Sequence, residues 1–229
     1  MEFYHTYNRG VEKRKIFLDN LDYLRGAHDL YEFNNINSVV NLDRRFEGFT
    51  KSLKSPEGAE KEMREILVSM GAWCFMPNHY HFFSSPIKDG SLALFHRKIG
   101  VGLANFFNTK YERSGALFQG RYKKVLVEND TQALQLICYI HSNPLDLWKH
   151  KWKEKGLTDP EIKTALKFLE NYRWSGHMDW WGIKNFPSII DYEFMHRFFE
   201  DPKEYKDFFI NWLKYYEKNT HDIKKMFIE

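Results

Sequence analysis

Apolar residues alternate along some stretches of this chain and recur every three or four positions along others. These two periods divide it into elements. "FYHTYNRG" alternates aromatic and polar residues and breaks at Asn8-Arg9-Gly10, which predicts a strand ending in a turn. From Asp19 to about Phe33, Leu21, Leu24, Ala27, Leu30 and Tyr31 recur at helical spacing behind Asp19 as N-cap. Residues 34–62 are polar and turn-rich and predict a long loop or insertion. "EILVSMGAWCFM" and "HYHFFSS" read as two strands joined at Pro77-Asn78, a hairpin. Ser91 to about Glu112 predicts a long helix with Leu92, Leu94, Phe95, Ile99, Leu103, Phe106 and Phe107 as its apolar face. "GALFQGRYKKVLVEN" reads as a fourth strand. Asp130 caps a helix over "TQALQLICYIHSN", which Pro144 stops.

The resulting order is βαββαβ, an α+β pattern that predicts a ferredoxin-like antiparallel sheet followed by one more helix. Residues 1–150 would form this domain. Residues 151–229 would form a helical extension packed on or beside it. Its helices are expected over "DPEIKTALKFLENY" and "DPKEYKDFFINWLKYYEK", with the aromatic "YRWSGHMDWWG" between them.

Composition narrows the setting. The chain has 229 residues, enough for one domain with an appended tail and a real core. Lys and Arg exceed Asp and Glu by 34 − 31 = 3, so a nucleic-acid partner is permitted but not demanded. Cys74 and Cys138 sit in apolar runs and build neither a disulfide framework nor a CxxC zinc motif, which points to a reducing cytoplasm. No signal peptide and no membrane span of about 18 apolar residues is visible.

One strand carries unexpected chemistry. In "MPNHYHFF", His79 and His81 are two apart and project from the same strand face, roughly 6–7 Å from each other. That spacing lets two imidazoles converge on a divalent ion, and it equally suits two hydrogen-bonded histidines on a wet sheet face. A second oddity lies in "QLICYIHSNP". Gln135, Tyr139 and Asn143 are four apart and form one polar stripe of a helix. A helix buried on a sheet carries Leu or Ile there at less cost, because buried hydroxyl and amide groups need partners.

"MPNHYHFF" and "YIHSNP", together with "YNRG", "GRYKKVLVEN" and "YRWSG" in this order, resemble the HUH single-strand tyrosine transposases. They are most similar to the REP-associated tyrosine transposase branch. The resemblance runs from about Phe3 to Gly176. It implies that His79 and His81 ligate a metal, that Tyr139 is the nucleophile and that Asn143 completes the metal site. Tyr80 stands where the family usually has a bulky apolar residue. Gln135 and His141 are accessory candidates. The implied cofactor is Mg²⁺ or Mn²⁺, of which Mn²⁺ suits imidazole better. The implied reaction is DNA nicking and rejoining through a 5′-phosphotyrosine on single-stranded or hairpin DNA. A homodimer and a monomer are equally compatible with the sequence.

Substrate contacts are expected from two basic clusters, Arg9, Lys13, Arg14 and Lys15, and Arg121, Lys123 and Lys124. Interleaved aromatics offer stacking surfaces for unpaired bases. Two other functions stay open: hairpin binding without cleavage, and a relaxase-like replication nickase. Trp174 and Ser175 are assigned to packing, and the tail "KKMFIE" to the surface.

Overall fold

The stretches read as strands become four, β1 (Phe3–Arg9), β2 (Val68–Met76), β3 (His79–Pro86) and β4 (Lys123–Val127). The structure is a computed structural model that describes residues 2–52 and 64–216. The end of the polar stretch before β2 and the tail "KKMFIE" lie outside the described residues. The helices are α1 (Asn20–Glu32), α2 (Leu42–Ser52), α3 (Ser91–Lys110), α4 (Asp130–Ser142), α5 (Leu145–Trp148), α6 (Trp152–Lys155), α7 (Asp159–Asn171), α8 (His177–Trp180), α9 (Tyr192–His196) and α10 (Pro202–Lys214).

The strands form one sheet in the order β2-β3-β1-β4, every neighbouring pair antiparallel. Its two faces bury different helices. Phe75, Tyr80 and Phe82 point to one side, where Phe82 meets Phe95 and His96 of α3 and Phe75 meets Phe17. His79, His81 and Phe83 point to the other, where α4 and the C-terminal helices lie: His81 meets Tyr139, and Phe83 meets Phe194. One hydrophobic core runs from Phe3 through to Tyr216, so the C-terminal helices share it with the sheet.

Local signals explain most boundaries. The Asp19 carboxylate accepts from the backbone of Leu21 and Asp22, and Asp22 accepts from the backbone of Asp19, a capping box that starts α1. Lys110 reaches both carboxylates at 2.7 Å and ties the end of α3 to the start of α1. At the β2–β3 turn, Pro77 O accepts from Ile16 and Phe17, and Asn78 O from Gly10. A Cβ at Gly10 would stand 2.3 Å from Arg14 O, so only glycine lets the chain double back there. The free edge of β2 is covered by the segment around Trp174 and Ser175: Phe75 donates to Trp174 O, and Cys74 bridges Ser175. The packing role expected of that pair is thus an edge-covering one.

Three expectations need correction. Residues 34–62 are not all loop, because α2 forms within them. Phe46 and Phe49 pack on His28, and Arg25 bonds Asp43 at 2.9 Å. The fourth strand is confined to Lys123–Val127. Before it the chain bends, held to the end of β1 by Gln119 N to Arg9 O and Asn8 Nδ2 to Gly120 O rather than by a ladder. Asn129, not Asp130, caps α4, accepting from Gln132 N at 2.9 Å.

Candidate active site

Register assembles this site from four strands and a helix. His81 faces Cys74 on one side and Tyr7 on the other, and Tyr7 in turn faces Lys123. His79 pairs with Arg9. One sheet face therefore carries His79, His81, Tyr7, Arg9 and Lys123 together. With Asn8, Gln119, Gly120, Arg121 and Tyr122 they line a cavity of about 440 Å³. The ring centroids of His79 and His81 are 4.9 Å apart with perpendicular planes, so the side-by-side placement expected from i, i+2 spacing is present.

α4 packs against the same sheet face, outside the cavity wall. Tyr139 is 2 % exposed, and its ring stands edge-on to His81 at 5.6 Å and to His5 at 6.3 Å. Phenol and imidazoles thus meet within one chain. One turn further along α4, Asn143 is fully buried. Its Nδ2 donates to Tyr139 O, and its Oδ1 has no hydrogen-bond partner. Gln135, one turn back, likewise has a buried Oε1 without a partner. Buried polar oxygens left this way are uncommon.

The hydrogen bonds of the two imidazoles bear on their ability to ligate. His79 Nδ1 lies 2.6 Å from Asn78 Oδ1, an acceptor, so Nδ1 carries the proton and Nε2 the lone pair. His81 Nδ1 lies 2.9 Å from His5 Nε2. Burial pushes the His81 pKa well below the usual imidazole value, and His79, His5 and Lys153 add to the effect. The ring is therefore neutral, the form that ligates a metal. Among the described residues no three His, Cys, Asp or Glu side chains form a ligand set. Two imidazole nitrogens and an amide oxygen are a donor set of the kind that Mg²⁺ or Mn²⁺ accepts.

The other candidates divide. Arg9, Arg121 and Lys123 line the cavity. Lys13 and Lys15 are exposed, Arg14 lies 3.8 Å from Glu12, and none of the three reaches the cavity wall. Lys124 points to the opposite sheet face, its Nζ 5.0 Å over the Tyr4 ring. His141, an accessory candidate, instead bonds Tyr205 Oη at 2.8 Å and packs on His177 and Trp180. Two residues beyond Tyr139 on a helix are about 200° around the axis, so the two side chains leave opposite faces.

Sequence patterns gave no sign of Lys153. Its Nζ stands 5.0 Å over the Tyr139 ring and bonds Asp146 at 2.8 Å, which brings a cation from α6 beside the phenol. Tyr122 stacks on His96 at 3.9 Å and lines the cavity. No helix among the described residues is long and apolar enough to cross a membrane.

No protein-family model matches the chain, and no curated protein matches it. Among solved structures, the chain is similar to that of a REP-associated tyrosine transposase bound to a REP hairpin. Identity is 14 %, coverage is 67 % of this chain and 72 % of that chain, and the TM-score is 0.40.

Proposed function

We propose that this chain is a metal-dependent enzyme that nicks and rejoins single-stranded or hairpin DNA, in the manner of the HUH tyrosine transposases its motifs resemble. The observation that carries the reading is the meeting of Tyr139 with neutral His81 at 5.6 Å, beside the His79 ring and a cavity rimmed by Arg9, Arg121 and Lys123. On this reading the site is complete in one chain and works in the cytoplasm, without a subunit exchanging its tyrosine helix. The strand order β2-β3-β1-β4 supports a ferredoxin-like sheet as its platform.

Arg9, Arg121 and Lys123 bind backbone phosphates, and Tyr7 and Tyr122 offer faces for unpaired bases. The Tyr139 oxygen attacks the phosphorus as the bond from phosphorus to the 3′ oxygen breaks. The phenolic proton ends on that oxygen, leaving a 5′-phosphotyrosine and a 3′-OH. Attack by another 3′-OH reverses the step and frees the phenol, so no energy source is needed. An unassisted phenol, with a pKa near 10, is a weak nucleophile at neutral pH. Lys153 Nζ, 5.0 Å over the ring, brings a cation beside the phenol. His79, His81 and Asn143 would hold Mg²⁺ or Mn²⁺, which when bound neutralises charge on the phosphate.

One observation favours a second reading, hairpin binding without cleavage: Tyr139 is 2 % exposed and does not line the cavity. Incubation with a labelled hairpin-bearing single strand and Mn²⁺, followed by a denaturing gel, decides between them. The expected result is a covalent protein–DNA adduct that disappears with EDTA and in Tyr139→Phe. An adduct that persists in Tyr139→Phe removes Tyr139 as the nucleophile. Tight binding with no adduct in the unsubstituted chain selects the second reading.

A further inference from the structure

His5 belongs to β1, opposite Phe83 of β3, and its side chain is fully buried on the α4 side of the sheet. A buried imidazole one strand away from another must settle which ring carries the shared proton. Here His5 Nε2 and His81 Nδ1 are 2.9 Å apart, and the ring planes are within 21° of parallel, so a nitrogen lone pair and an N–H can lie in one plane. Two arrangements satisfy the contact. If His5 donates, His81 keeps its proton on Nε2 and offers no lone pair to the cavity. If His81 donates from Nδ1, its Nε2 carries the lone pair.

We propose that His5 is a positioning residue that accepts the Nδ1–H of His81, fixing the ring and tautomer of His81 so that its Nε2 presents a lone pair beside His79. The proposal rests on the metal-site reading above. Independent support comes from the neighbouring imidazole. His79 makes the same kind of contact through Nδ1 to Asn78 Oδ1, whose carbonyl can only accept. Both rings then hold the same tautomer and present equivalent nitrogens, each oriented by an acceptor from a different element, the turn for His79 and β1 for His81. Outer partners of this kind orient ligating imidazoles and raise their basicity. Tyr7, two residues from His5 and 5.2 Å from it ring to ring, supports the His5 ring from the cavity side.

The test begins without metal. Long-range ¹⁵N–¹H NMR of the full-length chain, with the His81 signals assigned from His81→Gln, should show the proton on Nδ1. A proton on Nε2 overturns the proposal. The second measurement is Mn²⁺ binding followed by EPR. His5→Ala should weaken it about 10–100-fold, the usual cost of losing such a partner, with DNA affinity in EDTA unchanged. His5→Gln, whose amide oxygen reaches about as far as Nε2 and can accept the same proton, should recover much of the loss. Equal Mn²⁺ affinity in a folded His5→Ala overturns the proposal. Absence of Mn²⁺ binding by the unsubstituted chain overturns the metal-site reading instead, and the tautomer measurement still decides His5. If His5→Ala does not fold, that measurement on the unsubstituted chain keeps the proposal open to disproof.

Discussion

Two histidine clusters lie on the same side of the sheet, and α4 runs between them. In one, His141 and His177 both bond Tyr205 Oη, at 2.8 and 2.9 Å, and all three residues are fully buried among Trp180, Trp181 and Phe209. In the other, His5, His79 and His81 gather beside Tyr139, and the last two open on a cavity with three cationic side chains on its wall. The residue type is the same and the degree of burial is similar. What differs is the next layer. The first cluster meets aromatic rings and a hydroxyl, and its hydrogen bonds join α4, α8 and α10. The second meets space, charge and a phenol, an arrangement suited to chemistry. Burial of a histidine therefore says little about its role until the surroundings of the ring are known.

The sharpest way to break this comparison is to remove one ring from each cluster's function. His81→Ala should lower Mn²⁺ affinity and adduct formation by more than ~100-fold, since a ligand matters at least as much as its outer partner. The melting temperature should change far less. Calorimetric Mn²⁺ titration and the denaturing gel check this; near-normal binding in that variant would remove His81 as a ligand.

The next effect is on stability against pH. Burial lowers the pKa of His177 and of His96 to about 3, and that of His141 well below its usual value. The native state holds these rings neutral, whereas the unfolded chain protonates them below about 6.5. Stability should therefore be full above pH 6.5 and fall as pH drops toward the folded values. The slope is roughly 1.4 kcal/mol per pH unit for each ring. Asp179, raised to about 6 by burial, opposes this between about pH 6 and 4. Urea unfolding at a series of pH values should show a net proton uptake on unfolding near pH 5.5, smaller by about one proton in His177→Gln. A flat profile would contradict the sealed state of the first cluster.

The smallest expected change is Tyr205→Phe. It leaves two buried imidazole nitrogens without their shared hydroxyl and should cost about 1–3 kcal/mol of stability, read from urea unfolding. Mn²⁺ affinity should stay within a factor of two. A large loss of metal binding would mean that the clusters are coupled through α4 rather than independent.

Much of the scaffold was legible in the residue pattern because it depends on short-range geometry. Alternation placed β1, and two apolar runs on either side of the Pro77-Asn78 turn placed β2 and β3. Asp19 marked the start of α1. The spacing of two between His79 and His81 is enough to put both on one face of any strand, and the spacing of four between Tyr139 and Asn143 puts them on one stripe of any helix. α2 is hidden in the residue pattern because its two apolar anchors, Phe46 and Phe49, sit in an otherwise polar run whose helix is held by packing on α1. β4 is shorter than its residue pattern suggests because the Asn8 side-chain amide and the Arg9 carbonyl hold residues 119–120 outside the ladder.

By itself, then, the sequence determined the strands and the five longest helices, the sharing of a face by His79 and His81, and the stripe bearing Tyr139 and Asn143. These follow from the fixed rise and turn of the backbone. Only the tertiary structure decided which imidazole meets which partner. His5 reaches His81 through strand register, His141 turns to Tyr205 because α4 is wedged between the sheet and α10, and Lys153 reaches Tyr139 from α6. Those contacts join residues up to 76 positions apart, and such distances are closed by packing, which no local period encodes.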